Sequence, residues 1–148
     1  MKKLYLFLFG FLLIMTGCSK SSLNANQIKY KEKILTYNTS EINDVFFDNG
    51  IDIVLNDANE IRSIAITNED VKTFNDLSVG DKISKVKSKY QYETEYSNTV
   101  FAIIYDNNEI DIANEDKPEE AIYINYFYDN DIITKIQIYD SIYAKKMR

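Results

Sequence analysis

The chain has 148 residues, with 23 acidic and 17 basic side chains, a formal charge of −6, one Pro, one Cys and no His or Trp. That length supports one domain with a modest core. Without histidine there is no Ser-His or Cys-His nucleophile, a lone cysteine cannot close an internal disulfide, and the acidic balance argues against nucleic acid as a partner, because phosphate binding needs clustered Lys and Arg.

The N-terminus carries a short basic start at Lys2 and Lys3, an apolar run from Leu4 to Ile14, and then Met15-Thr16-Gly17-Cys18. This is the layout of a secretory signal, and a run of roughly a dozen apolar residues falls short of the ~20 a stable membrane-spanning helix needs. Met15–Cys18 resembles the lipobox of bacterial lipoproteins, with Met15 where Leu is most common. The resemblance implies that the Cys18 thiol receives diacylglycerol and becomes the new N-terminus after cleavage. Removing residues 1–17 leaves 15 basic against 23 acidic side chains. Acyl chains contribute about 0.8 kcal/mol per buried CH₂, and two chains hold where one does not. The division expected is therefore 1–17 as lipoprotein signal peptide, 18–35 as lipidated Cys18 and polar tether, and 36–148 as a single globular α+β domain.

Within the mature chain, Ile28–Thr36 is irregular and reads as a strand or a strand with a turn. Asn49-Gly50 predicts a hairpin with a strand on each side, because a type I′ turn needs positive φ at both central residues. Asp57-Ala58-Asn59-Glu60, Asp106-Asn107-Asn108-Glu109 and Asp129-Asn130-Asp131 each follow an apolar or aromatic run and read as hairpin turns. After the first comes the triplet Ile61, Ile64, Ile66, and 72 positions further on comes Ile133, Ile136, Ile138. In each triplet the last two isoleucines share a strand face at period two, and the first falls on the opposite parity. These are either related half-domains or one turn chemistry used repeatedly. None of the turns has the Gly and Glu spacing of a calcium loop.

Asp81–Tyr90 predicts a helix: Ile83, Val86 and Tyr90 lie on one face, Lys82, Lys85, Lys87 and Lys89 on the others, and Asp81 or Ser78 is a candidate cap. Thr73-Phe74-Asn75-Asp76-Leu77-Ser78-Val79-Gly80-Asp81, followed by Val86 and Tyr90 and later by the isoleucines of 133–138, resembles small bacterial surface lipoproteins. It is distantly similar to the SmpA/OmlA group and to β-lactamase inhibitory proteins. The resemblance covers about Thr73–Tyr139 and implies a Gly-containing turn that opens a helix lying across an antiparallel sheet. Gln91 stands where Gly usually follows the Tyr, only one clear helix precedes the strands, and no functional residue of those families maps onto a residue here.

Carboxylates are the remaining raw material for catalysis: Glu41 with Asp44, Glu69 with Asp70, Glu93 with Glu95, Glu115 with Asp116, and Glu119 with Glu120. Acid–base work requires one of a pair in a desolvating site, whereas these lie in stretches that read as turns or exposed strand faces. Ser84-Lys85 and Ser88-Lys89 sit on an exposed helix face, four scattered glycines form no phosphate loop, and neither a cofactor nor a metal is expected. Aromatics are dense at Tyr90, Tyr92, Tyr96, Phe101 and Tyr105, and again at Tyr123, Tyr126, Phe127 and Tyr128. In the second group Tyr126 and Tyr128 share one strand face, Tyr123 and Phe127 the other; one face is core, and the other is solvent-facing or a recognition surface.

The expected fold is α+β, one antiparallel sheet of hairpins with a short helix near Asp81–Tyr90 packed on one face; the alternative is an all-β sandwich or barrel. The expected function is that of a non-enzymatic lipoprotein, held by Cys18 on the extracytoplasmic face of a cell membrane and binding a protein partner. The alternative is a carboxylate-dependent hydrolase of cell-wall glycans, whose sign would be a buried acid pair about 5–10 Å apart in a cleft.

Overall fold

A computed structural model describes residues 22–37, 39, 42–47, 49–111, 113 and 117–146. The signal segment and Cys18 lie outside the described residues, as do Glu41, Glu115 and Asp116. Among the described residues the fold is mostly β: two antiparallel sheets, two short helices and no closed barrel. The smaller sheet pairs β1 (Gln27–Tyr30) with β2 (Lys33–Thr36). The larger holds seven strands in the order β3 (Ile51–Leu55), β4 (Ile61–Ile66), β9 (Ile132–Asp140), β8 (Ile122–Asp129), β6 (Thr99–Tyr105) and β5 (Thr94–Glu95), with β7 (Asn108–Ile110) also on β6.

Period-two alternation sets the core. One row of side chains runs Ile53, Ile64, Ile138, Ile124, Ala102 across five strands, and the next runs Ile51, Ile66, Ile136, Tyr126, Val100. All but half-buried Ile53 are buried. Onto this face pack Phe46, Val71, Leu77 and helix α1 (Ile83–Lys87), shorter than the Asp81–Tyr90 expected; it buries Ile83 and Val86, and Tyr90, beyond its end, is buried as well.

Both parity mismatches are removed by β-bulges. The β3–β4 register shifts between Val54 and Leu55, so that Arg62 is the extra residue and Ile61 returns to the core side. The β8–β9 register shifts between Phe127 and Tyr128, with Thr134 extra and Ile133 returned in the same way. Ile61 and Ile133 are 0 % and 1 % exposed. The bulges keep the spacing of the isoleucine triplets, and β4 pairs β9 with Ala65 opposite Gln137, Ile64 opposite Ile138 and Ile66 opposite Ile136. The two hairpins are thus related by a local two-fold axis through the Ala65–Gln137 pair. The turns at Asn107 and Asn130 put consecutive residues at positive φ, Asp106–Asn107 and Asn130–Asp131, the backbone a type I′ turn demands.

Three expectations are corrected. The tether does not extend to residue 35: Ile28, Tyr30, Leu35 and Tyr37 are all buried, Lys29 and Lys72 exchange backbone hydrogen bonds, and the fold begins near Asn24, whose carbonyl accepts the Gln27 N–H. The hairpin was obscured because its turn puts Lys31 and Glu32 at positive φ, where Asn and Gly are the usual residues. Asn49-Gly50 joins no two strands; a 3-10 turn, Asp44–Phe46, precedes it with Asn43 accepting the Val45 N–H, and Gly50, at φ +70°, leads only into β3. The helix carries no side-chain cap, its N-cap being Lys82. Asp81 instead accepts the Ser78 N–H and pairs with Lys85 at 2.8 Å. A second helix, α2 (Ser141–Lys146), continues from β9.

Four tyrosines among the described residues, Tyr30, Tyr37, Tyr90 and Tyr126, lie in the core. Tyr90 and Tyr126 share a hydrogen bond of 2.7 Å between hydroxyls; burial pushes Tyr90 up to about 12, and burial, then the Tyr90 neighbour, push Tyr126 well above the usual phenol range. Burial, then nearby Asp140, raise Tyr37 as well. A folded-state value above the unfolded one gives stability that is complete below about pH 10 and lost as pH climbs through the folded values. Alkaline titration is expected to show a final portion of tyrosinate absorbance rising only together with loss of circular dichroism above about pH 10. Complete ionisation with the dichroism intact would contradict this burial.

Candidate functional site

The face of the large sheet opposite the core is aromatic. Alternation places Phe101 and Ile103 of β6, Tyr123, Asn125 and Phe127 of β8, and Lys135, Gln137 and Tyr139 of β9 on it, Ile103 itself being buried. Tyr123 and Tyr139, direct cross-strand neighbours, stack with centroids 5.4 Å apart and planes 14° apart, and Tyr143 of α2 tilts against Tyr139 at 6.0 Å. Lys135 holds its ammonium 4.2 Å from the Phe127 ring centre, and the Tyr139 hydroxyl donates to Asn125 Oδ1 at 3.3 Å. Between α2 and the turn before β6, Phe101, Ile103, Tyr123, Asn125, Phe127 and Tyr139 floor a groove of about 430 Å³, with Tyr96 and Lys117 on its rim. Its surface offers ring area, one amide and a rim ammonium.

A second cleft, about 490 Å³, is polar. Arg62, projecting from the β4 bulge, donates to Asp140 Oδ2 at 2.7 Å and to Glu60 at 2.6 Å. Asp140, 7 % exposed, also accepts the Tyr143 N–H at 2.7 Å and so caps α2. Asn24, Asn26, Asp106, Glu119 and Glu120 complete the wall.

The sequence-predicted acid pairs do not form a buried dyad among the described residues. Glu69 and Asp70 are exposed in a turn, and Glu119 and Glu120 are exposed at the cleft rim. Glu95 is tied to Lys87 at 2.6 Å and to the Tyr128 hydroxyl, and these two bonds, Lys87 first, hold its carboxyl below the usual range. Lys85 donates to Asp81 and to the Asp76 carbonyl, so that it is engaged structurally. Sequence reading missed the Arg62–Asp140 pair, whose members lie in different hairpins; an acid closing an apolar strand directly before Ser141 is the signal that could have found its capping role. In the aromatic run, Tyr126 and Tyr128 pack toward the core and Tyr123 and Phe127 face outward.

No family model, no curated protein and no solved structure matches this chain. Among the described residues no helix is long and apolar enough to cross a membrane.

Proposed function

We propose that the chain is an extracytoplasmic lipoprotein, anchored through Cys18, that binds a protein partner on the outer face of its large sheet without catalysing a reaction. The observation that carries this reading is the groove floored by Phe101, Tyr123, Phe127 and Tyr139: partly exposed aromatic rings supply contact area at interfaces, and the two tyrosines add polar tips that hydrogen-bond. The Gly80 turn, which opens α1 against the antiparallel sheet, supports the likeness to envelope lipoproteins. The fold's start near Asn24 limits the reach of the chain from Cys18 to about 20 Å, so a lipid there would keep the domain close to the bilayer. The glycan-hydrolase reading is less well supported, because Asp140, the buried carboxylate of the polar cleft, is engaged by Arg62 and by the α2 cap.

Two measurements on the full chain test the proposal. Cys18→Ala is expected to abolish labelling by radioactive palmitate, and labelling that persists would remove the anchor from the reading. A photoactivatable side chain at Phe127 is expected to capture a discrete membrane-associated protein that the same probe at Asp57, in the exposed turn between β3 and β4, does not. Identical products from both positions would refute the groove.

A further inference from the structure

Strand β3 is an open edge. It pairs only with β4, and among the described residues no other backbone group bonds to it. The Thr67 N–H donates to the Gly50 carbonyl, and antiparallel alternation then directs the groups of Asp52 and Val54 toward β4 and turns those of Ile51, Ile53 and Leu55 outward. The edge carries a single charge, Asp52, and no Lys or Pro; its bulge residue sits on β4 instead, and Val54 and Leu55 remain 43 % and 40 % exposed. The opposite edge is blunted: β5 has two residues, and Glu95 there is tied to Lys87 and Tyr128. Natural sheets protect an edge this long and apolar unless it pairs.

We propose that β3 pairs with β3 of a second copy of this chain, antiparallel and two-fold symmetric about Ile53, joining two sheets into one. The sequence Ile51-Asp52-Ile53-Val54-Leu55 is self-complementary in that register alone. Ile53 faces its own copy and Ile51 faces Leu55, so the three outward-turned residues of each strand meet one another through about six hydrogen bonds. On the other face each Asp52 lies against Val54 of the second copy, and the two aspartates do not oppose each other. Half-buried Ile53 and exposed Leu55 gain cover on the core side. The aromatic groove lies toward β6, at the far end of the sheet, and stays open in each copy.

Register makes this testable with the full chain in detergent. In a Cys18→Ser background, a mixture of Asp52→Cys and Val54→Cys chains is expected to form disulfide dimers in at least about tenfold higher yield than either variant alone, because the 52–54 pair is a close, non-hydrogen-bonded one. Val54→Lys, placing an ammonium against Asp52 twice per dimer, is expected to tighten self-association about three- to tenfold in sedimentation equilibrium. Val54→Asp should weaken it by a similar factor. Position 54 is exposed, so both variants should fold, which unchanged circular dichroism would verify. Equal cross-linking in mixed and single-variant samples, indifference to the charge at 54, or a monomer up to about 1 mM chain overturns the proposal. Cross-linking of the 52 or 54 thiol in cells to a different protein, in place of its own copy, also overturns it.

Discussion

Ile138→Ala is expected to destabilise the protein by about 2–5 kcal/mol, the cost of deleting a buried isoleucine and leaving an incompletely filled cavity. Ile138 has no exposed surface and stands at the centre of the sheet, with Ile64 beside it on β4 and Ile124 on β8. Three strands and the layer over them would have to shift to close the gap. Because whole-domain stability is about 5–15 kcal/mol, such a loss should be visible as a large fall in the urea midpoint at unchanged slope. Ile136→Ala, at the next position of the same face and equally buried, should cost a similar amount. Ile142→Ala is the internal control: it lies on α2 at 47 % exposure, and its change should stay within about 0.5 kcal/mol. Equal effects at 138 and 142 would contradict the assigned core face.

The isoleucine patterns made the strands and their turns readable, and the apolar spacing of Ile83, Val86 and Tyr90 made α1 readable. What they hid was the side of the sheet taken by Ile61 and Ile133. A bulge adds one residue without a distinctive local composition, and Arg62 and Thr134 look like any outward strand residue. The β1–β2 hairpin was hidden for a related reason, because Lys31-Glu32 occupies a backbone that sequence statistics reserve for Asn and Gly. Asn49-Gly50 misled in the opposite sense: the dipeptide permits a hairpin but cannot supply the strand before it, and Asn43 drew that segment into a 3-10 turn. Alternation separated Tyr123 and Phe127 from Tyr126 and Tyr128, but which pair faces outward was set by the packing of α1 and the loops on the other face. The groove around Tyr123 and Phe127 was hidden too, because Phe101, Tyr139 and α2 reach it only through strand order. Helix α2 escaped for lack of length: six residues show too little periodicity to register.

Asp140→Ala should be the most damaging change outside the apolar core, at about 2–4 kcal/mol. It acts twice. Arg62, whose side chain is 21 % exposed, would keep only the surface partner Glu60, leaving a half-desolvated guanidinium without its main counter-charge. The first turn of α2 would lose the acceptor for the Tyr143 N–H. Asp140→Asn separates these roles, since an amide oxygen can still cap the helix but cannot match the ion pair; its cost should fall between wild type and alanine. Combining Asp140→Asn with Arg62→Met should recover part of the loss, because the burden in the single variant is the unpaired charge and not the missing bond. Tyr37 sharpens the same point from the other side. Its hydroxyl is buried with no well-formed hydrogen bond among the described residues, so Tyr37→Phe should be neutral or stabilising, whereas an additive, uncompensated loss in the Arg62→Met, Asp140→Asn double variant would show that the cleft's polar groups act independently.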